Sequence, residues 1–583
     1  MTAAGNPPGG ERRPGDSERN GLLRAQLARQ REHVFALGRQ TRQVVLFAAI
    51  TGAVTGLGVA GFESLTRTAI FDHLQETPLA LRVLAPMVGL ALAALALHFV
   101  ARGAGPATAD EYIKNFHEPG SRLSLRPVPG RLLASVATLG FGGAMGYEGP
   151  AVYLGAAAGS ALQRRFSRLF SREDAKVLLV AGAAAGVAAI FKAPATGLVF
   201  ALEVPYQEDF ARRMLLPAGI ASAVSYIVFV AITGTAPLFA VAGAPPFNLR
   251  DLGGAALLGV LCGVGARLLT MALVRAKRLA AGLHPVVRAL SAGTVLAALA
   301  LVAQVAFGDP LTLGAGYDNL DWAFDPRRAV ALVLLLLLLR AAATVATVAG
   351  GGVGGLFIPL VVEGALLGRA MGGLFRTASS GSHFFPLIGV SAFLGAGYRV
   401  PLAGVMFAAE ASGRPGFIVP GLIAAVVAQL FMGRASASPY QVAARAGHLE
   451  RRFALPLTSV LRTDIATVPS DTTLHEFFSD HLLGHREKVV AVVDGARYLG
   501  VMRIEELRSV PGERWPAEDV GDHMRTDFPT ATSAMSVRDA LTLMERVDVD
   551  LLPVLDGESF VGVVTTAEIL KLDEILGETL DDP

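Results

Sequence analysis

The stretch Gly142-Gly143-Ala144-Met145-Gly146-Tyr147-Glu148-Gly149-Pro150 sets one carboxylate among four glycines, just ahead of a proline, inside a long apolar region. A charge at membrane depth is costly, so a glutamate there points to function. The glycines let the backbone come close to an ion and leave its N–H groups free to face it. Pro150 suits the first turn of a helix, where a missing N–H costs nothing. The implied device is a helix N-terminus aimed at an anion, with a titratable carboxylate, Glu148, beside it as a gate.

The rest of the chain places that device in a bilayer. Of 583 residues, 52% are hydrophobic and 17% charged, with mean hydropathy +0.49, whereas soluble domains run at about 25% charged. The net charge of +2 gives no reason to expect a nucleic-acid partner. The one cysteine, Cys262, lies in an apolar segment, which excludes a disulfide or a thiolate metal site within one chain. It reads as a small buried apolar side chain, and no metal is expected.

Residues 1–20 are rich in Gly, Pro, Glu and Arg and carry no apolar run, so they read as a disordered tail rather than a signal peptide. Residues 21–43, with Arg24, Arg29, Arg31, Arg39 and Arg42 among Leu, Val and Phe, read as a basic amphipathic helix leading into the membrane. The positive-inside rule then puts the N-terminus in the cytoplasm.

Apolar segments fall near 44–64, 80–101, 131–163, 178–204, 214–234, 252–275, 290–307, 328–350, 355–376, 384–411 and 417–433. Several are too long for one crossing of about 30 Å and are broken at Gly or Pro; others are too short. Broken helices at membrane depth line a cavity or are buried in protein. The segments also repeat. From Pro150 to Pro359 is 209 residues, and that offset sets Gly142, Gly143, Gly146, Gly155 and Gly159 on Gly351, Gly352, Gly355, Gly364 and Gly368. From Pro194 to Pro401 is 207 residues, and that offset sets Lys192 on Arg399, Gly197 on Gly404, Phe200 on Phe407 and Glu203 on Glu410. Two homologous halves, near 44–235 and 252–433, follow within a membrane domain of 21–435. Their relative orientation is left open. Duplicated halves interrupted at matched positions point to a substrate site between them.

After about residue 450 charges become frequent, and short β-type runs alternate with helical patterns. Asp494-Gly495 with Leu499-Gly500-Val501-Met502 repeats as Asp556-Gly557 with Val561-Gly562-Val563-Val564, at an offset of 62. Each unit reads strand, Asp-Gly turn, strand, helix. The boundaries predicted are a linker at 436–455 and soluble units at 456–510 and 517–576.

These residues together resemble the CLC chloride channels and chloride/proton antiporters followed by a tandem pair of CBS domains. Gly146-Tyr147-Glu148-Gly149-Pro150 is similar to the family's G-x-E-G-P signature, and Gly355-Leu356-Phe357-Ile358-Pro359 to its G-x-F-x-P signature. Tyr440, after Ser438-Pro439, is similar to its pore tyrosine. The resemblance implies an α-helical polytopic fold of two inverted halves with broken helices, followed by a soluble α/β CBS pair. It implies a homodimer in the plasma or inner membrane with one pore per subunit and both termini cytoplasmic. Glu148 would gate, occupying an anion site when ionised and leaving it when protonated. The backbone around Gly146, Tyr147 and Gly149, the N–H groups of Leu356 and Phe357, and the Tyr440 hydroxyl would bind the anion. Its expected partners are chloride or another monovalent anion, protons and the lipid bilayer.

The chain departs from the family in three places. The antiporters usually carry an inner proton glutamate, and Val204 stands at that position, one residue after Glu203. One helical step turns a side chain by about 100°. Glu203, and Glu363 in an otherwise apolar run, are the candidates for a proton path; each reads equally as a structural group, Glu203 at a helix end and Glu363 at a subunit interface. The first anion motif, G-S-G-x-P in many members, reads Gly103-Ala104-Gly105-Pro106-Ala107-Thr108 here, without serine. Gly105 and Pro106 are the anion-binding candidates there, and both chloride and another anion stay open. In the soluble pair, Gly562-Val563-Val564-Thr565-Thr566-Ala567-Glu568 matches a ribose-binding pattern with Glu568 in place of Asp. Adenine nucleotide bound through Thr565 and Glu568, and a purely structural module, are both compatible with it; no cofactor is required. Proton-coupled exchange is the leading reading, with an uncoupled gated channel and a CBS-based membrane sensor as alternatives. An enzyme is not expected: there is no nucleophile–base cluster, no metal-ligand spacing and no phosphate loop.

Overall fold

The computed structural model describes residues 42–118, 123–170, 176–236, 238–239, 249–325, 328–375, 384–443, 455–484, 489–569 and 571. The expected N-terminal tail and the first part of the basic amphipathic helix lie outside these residues. The chain divides into two compact units, Met1–Ala444 and Arg445–Pro583.

The first unit is helical. In its first half run α1 (Arg42–Gln75), α2 (Leu79–Val100), α3 (Ala109–His117), α4 (Val128–Gly140), α5 (Glu148–Arg165), α6 (Val177–Phe191), α7 (Pro194–Glu203) and α8 (Leu215–Thr233). The second half holds α9 (Leu249–Ala280), α10 (Pro285–Phe307), α11 (Tyr317–Phe324), α12 (Val330–Ala349), α13 (Phe357–Phe375), α14 (Phe384–Gly397), α15 (Pro401–Ser412) and α16 (Ile418–Met432). Among the described residues, seven helices are long and apolar enough to cross a membrane. The over-long segments break where Gly and Pro predict: 131–163 at Gly142–Tyr147, 178–204 before Pro194, and 384–411 before Pro401.

Matched contacts show why the halves share a glycine pattern. Gly155 on α5 and Gly182 on α6 face each other so closely that a Cβ on either would strike the other's carbonyl; Gly364 on α13 and Gly389 on α14 do the same. In a bilayer, where apolar surface alone does not drive helices together, such small residues let backbones approach. Gly52 and Gly56 of α1 lie against the backbone of α8, and Gly259 and Gly263 of α9 lie likewise against α16. Lys192 and Arg399 end α6 and α14 in the left-handed region, with φ of 53° and 55°.

The halves meet as mirror partners. The Glu203 carboxylate accepts from Leu402 N–H at 3.1 Å and Ala403 N–H at 2.9 Å, at the start of α15. Glu410 accepts from Ala195 N–H at 2.9 Å and Thr196 N–H at 2.6 Å, at the start of α7. Each glutamate therefore caps the helix of the opposite half, satisfying N–H groups that a helix start leaves unpaired. Residue i meeting j while its equivalent of j meets that of i is the signature of a two-fold relation.

Residues 436–443, expected in the linker, belong to the first unit. Gln441 Nε2 donates to the carbonyls of Val204 at 2.8 Å and Tyr398 at 2.7 Å, and Gln207 N–H donates to Val442 O at 2.8 Å.

The second unit is a six-stranded sheet of β1 (Thr467–Pro469), β2 (Val489–Asp494), β3 (Arg497–Arg503), β4 (Ala531–Thr532), β5 (Leu551–Asp556) and β6 (Ser559–Thr565), ordered β1-β2-β3-β6-β5-β4. Its two halves repeat at the predicted offset: the β2–β3 register shifts at Val492/Val493 and the β5–β6 register at Val554/Leu555. Gly495 and Gly557 turn the hairpins at φ of 61° and 64°, a conformation that favours glycine. Separate cores around Phe477 and around Met544 fill the two halves.

Candidate anion site

Two loops build the centre of the membrane unit. Gly146 N–H donates to Gly355 O at 2.9 Å and Gly355 N–H to Gly146 O at 2.8 Å, an antiparallel bridge between the two signature motifs. Each loop is also held by a threonine of the other half. Ala144 N–H donates to Thr347 Oγ1 at 3.1 Å, and Val353 N–H to Thr138 Oγ1 at 3.0 Å. The bridge ends in two helix starts, since α5 begins at Glu148 and α13 at Phe357. Their free N–H groups converge where the dipoles favour negative charge.

Glu148 occupies that point. Its Oε1 accepts from Phe357 N–H at 2.6 Å, while its Oε2 has no hydrogen-bond partner among the described residues. The residue is 2% exposed. A Cβ built on Gly146 or on Gly355 would collide with the Glu148 carboxylate, so both positions require glycine while the side chain sits there. Gly149 is equally confined, by Gly354 O and Thr108 Oγ1. The Phe357 ring closes an aromatic box with Phe191 at 4.4 Å, Phe407 at 4.8 Å and Phe200 at 5.5 Å between centroids. Those rings shield the N–H groups from water, which strengthens any charge interaction there.

Two cavities approach Glu148. One, of about 420 Å³, is lined by Gly105, Pro106, Leu356, Tyr398 and Tyr440 among others. It therefore gathers the first-motif, second-motif and tyrosine candidates in one place. Tyr398 is buried in this wall, with its hydroxyl oxygen 3.4 Å from Leu356 N. Tyr440 lies further out on the wall and is 42% exposed. The serine missing from the first motif leaves Thr108 as the hydroxyl of that loop, donating to Gly354 O at 3.1 Å. The second cavity, of about 520 Å³, is lined by Glu63, Arg67, Asp72, Lys192 and Tyr317. Tyr317 stacks on Tyr147 at 6.4 Å and 9° between ring planes, and Arg67 lies 5.4 Å over the Tyr317 ring. Glu148 itself lines neither cavity.

The proton-path candidates lie elsewhere. Glu203 has both carboxylate oxygens taken by the α15 N–H groups, and Val204 is buried with its carbonyl held by Gln441. The geometry gives Glu203 a structural role as the cap of α15. Glu363 and Arg340 are both buried, 2% and 1% exposed. Arg340 donates to Thr312 O at 2.9 Å, Gly314 O at 3.1 Å and Ala315 O at 3.1 Å, fixing the loop that leads into Tyr317. Gly314 N–H donates in turn to Gly142 O at 2.8 Å. In the second unit, Thr565 Oγ1 accepts from Glu568 N–H at 3.2 Å and Glu568 pairs with Lys571 at 3.0 Å. Both nucleotide candidates stand together at the end of β6.

Neither Tyr398 nor Arg340 was among the sequence candidates. Tyr398 carried one signal: it stands 207 residues after Phe191, an aromatic before the left-handed residue in both copies. Arg340, in the run Val330–Ala349, had only its charge in an apolar helix.

The profile of the voltage gated chloride channel family matches residues 88–433, and that of the CBS domain matches residues 518–574. The chain is 28% identical over 417 residues to the H+/Cl− exchange transporter ClcA of Citrobacter koseri, covering 67% of this chain and 86% of that one. Its fold is similar to that of a slow cyanobacterial Cl−/H+ antiporter, with TM-score 0.60 at 22% identity over 67% of this chain and 94% of that one. A eukaryotic CLC transporter aligns over 91% of this chain and 98% of its own, with TM-score 0.56 at 17% identity.

Proposed function

The chain belongs to the voltage gated chloride channel family, and on that footing we propose that it moves chloride, or a similar monovalent anion, across a membrane through a pore gated by Glu148 in each subunit of a homodimer, in exchange for protons. The observation that carries this reading is the Glu148 carboxylate on the Phe357 N–H at the start of α13. A carboxylate oxygen there stands in for the transported anion: it has the same charge and takes the same donors. Protonation removes the charge that the helix start favours, so the side chain leaves and the Leu356 and Phe357 N–H groups donate to an anion instead. Neutral N–H donors hold it loosely enough to let it go, which conduction requires. The paired similarity to an H+/Cl− exchange transporter and to the fold of a Cl−/H+ antiporter supports exchange.

One observation favours an uncoupled channel instead. Val204 is buried and has no ionisable group, and both oxygens of Glu203 accept from the N–H groups of α15. Proteoliposomes decide between the readings. Under a chloride gradient, uphill proton uptake that vanishes in Glu148→Gln is the result expected of exchange. Anion flux without proton movement would make the protein a channel, and no flux of chloride, nitrate or fluoride would overturn transport altogether.

A further inference from the structure

We infer that Arg288 forms a second anion site, in the cavity beside Leu356, where a monovalent anion is held by the guanidinium before it reaches the filter. The inference rests on the reading that anions pass this way, and on four features of the cavity.

The first is position. Arg288, in the first turn of α10, lines the same cavity of about 420 Å³ as Leu356 and Tyr398. Its guanidinium lies directly over Gly351, whose φ of 82° bends the second signature loop, and a Cβ at Gly351 would strike it. The side chain is thus seated against the loop that ends in the filter N–H groups.

The second is want of a partner. No hydrogen bond, ion pair or ring contact engages the Arg288 side chain among the described residues, and its Nε is buried without an acceptor. A guanidinium carries five donors and keeps its charge at any physiological pH. Leaving such a group half-buried and unpaired is costly, and an anion in the cavity offsets that cost.

The third is the charge balance. The other charged groups on the wall are Lys277 and Asp110. Asp110 is anionic and Lys277 cationic, so the two are opposite in sign. Tyr398 and Tyr440 are neutral. With Arg288 added, the cavity wall carries one net positive charge.

The fourth is chemistry. Adjacent N–H groups of the fork converge on one acceptor and suit a halide or one edge of a planar anion. A half-buried site holds its ion without trapping it, as a passage requires.

Two experiments on the full chain test this. In crystals of the wild-type protein soaked in bromide, an anomalous peak against the Arg288 guanidinium is expected; its absence, with bromide visible elsewhere in the protein, would overturn the inference whether or not the protein transports. In proteoliposomes, Arg288→Gln is expected to raise the half-saturating chloride concentration roughly tenfold, the scale of one charge-assisted pair. Arg288→Lys, which keeps the charge, recovers part of the shift. Half-saturation unchanged in Arg288→Gln would show an idle arginine and overturn the site even with a bromide peak. Failure of wild-type flux with a bromide peak present would refute the transport reading and leave the anion site standing.

Discussion

A Cβ at Gly355 claims the space of the Glu148 carboxylate, so alanine there acts on the gate without changing any charge. Gly355→Ala is expected to keep anion flux while flattening its dependence on pH to that of Glu148→Ala. Chloride efflux from vesicles across a pH series measures this, and a wild-type pH profile in Gly355→Ala would refute the expulsion of the carboxylate. Tyrosine roles separate the same way. Tyr398→Phe removes the oxygen beside Leu356 N–H, a loss of about 1 kcal/mol or roughly a fivefold change in half-saturating anion, whereas Tyr440→Phe, on the open wall, is expected to leave it unchanged. The reverse order in flux measurements would return the role to Tyr440. The sequence showed Glu148, Gly146 and Phe357 because glycine, proline and one charge in an apolar run have few other uses. It hid Arg340 and Arg288 because their surroundings are backbone carbonyls and glycines of remote loops, which leave no pattern at any fixed spacing.

At the scale of helices, the caps and the glycine contacts separate structure from transport. Glu203→Gln weakens two charge-assisted bonds at the start of α15 and is expected to lower stability by about 0.5–2 kcal/mol, as cap losses do. Proton coupling should be untouched. Thermal unfolding in detergent and proton uptake in vesicles read the two effects, and loss of coupling at full stability would restore Glu203 as a relay. Gly182→Ala drives a methyl into the carbonyl of Gly155 and is expected to cost about 1–3 kcal/mol, while Gly61→Ala, with nothing within 4 Å of its Cβ position, is expected to be silent. Helix breaks were legible here because Gly and Pro punctuate them. The packing of the halves was not, since an internal repeat does not say how its copies meet; the crossed contacts of Glu203 and Glu410 show that they meet by a two-fold relation.

For the whole molecule, the division at Ala444/Arg445 separates a helical unit from a sheet with cores of its own. A fragment starting at Arg445 is therefore expected to fold alone, with one cooperative thermal transition by circular dichroism; a fragment without a transition would show that its cores are insufficient by themselves. The offset of 62 foretold the two matching halves of that sheet, and the join at Arg497 and Ser559, where β3 meets β6, had no counterpart in the repeat. The membrane unit carries a larger consequence. Its halves are tied at the midline by the glycine bridge, the crossed threonines and the two crossed carboxylate caps. Pulling them apart would strip charges and amides of their partners together, in surroundings with no water to replace them. The two halves therefore form a fixed chassis: under the proposed gating, the cycle would turn on the swing of one side chain, Glu148, and a rocking of one half against the other has no joint to rock on.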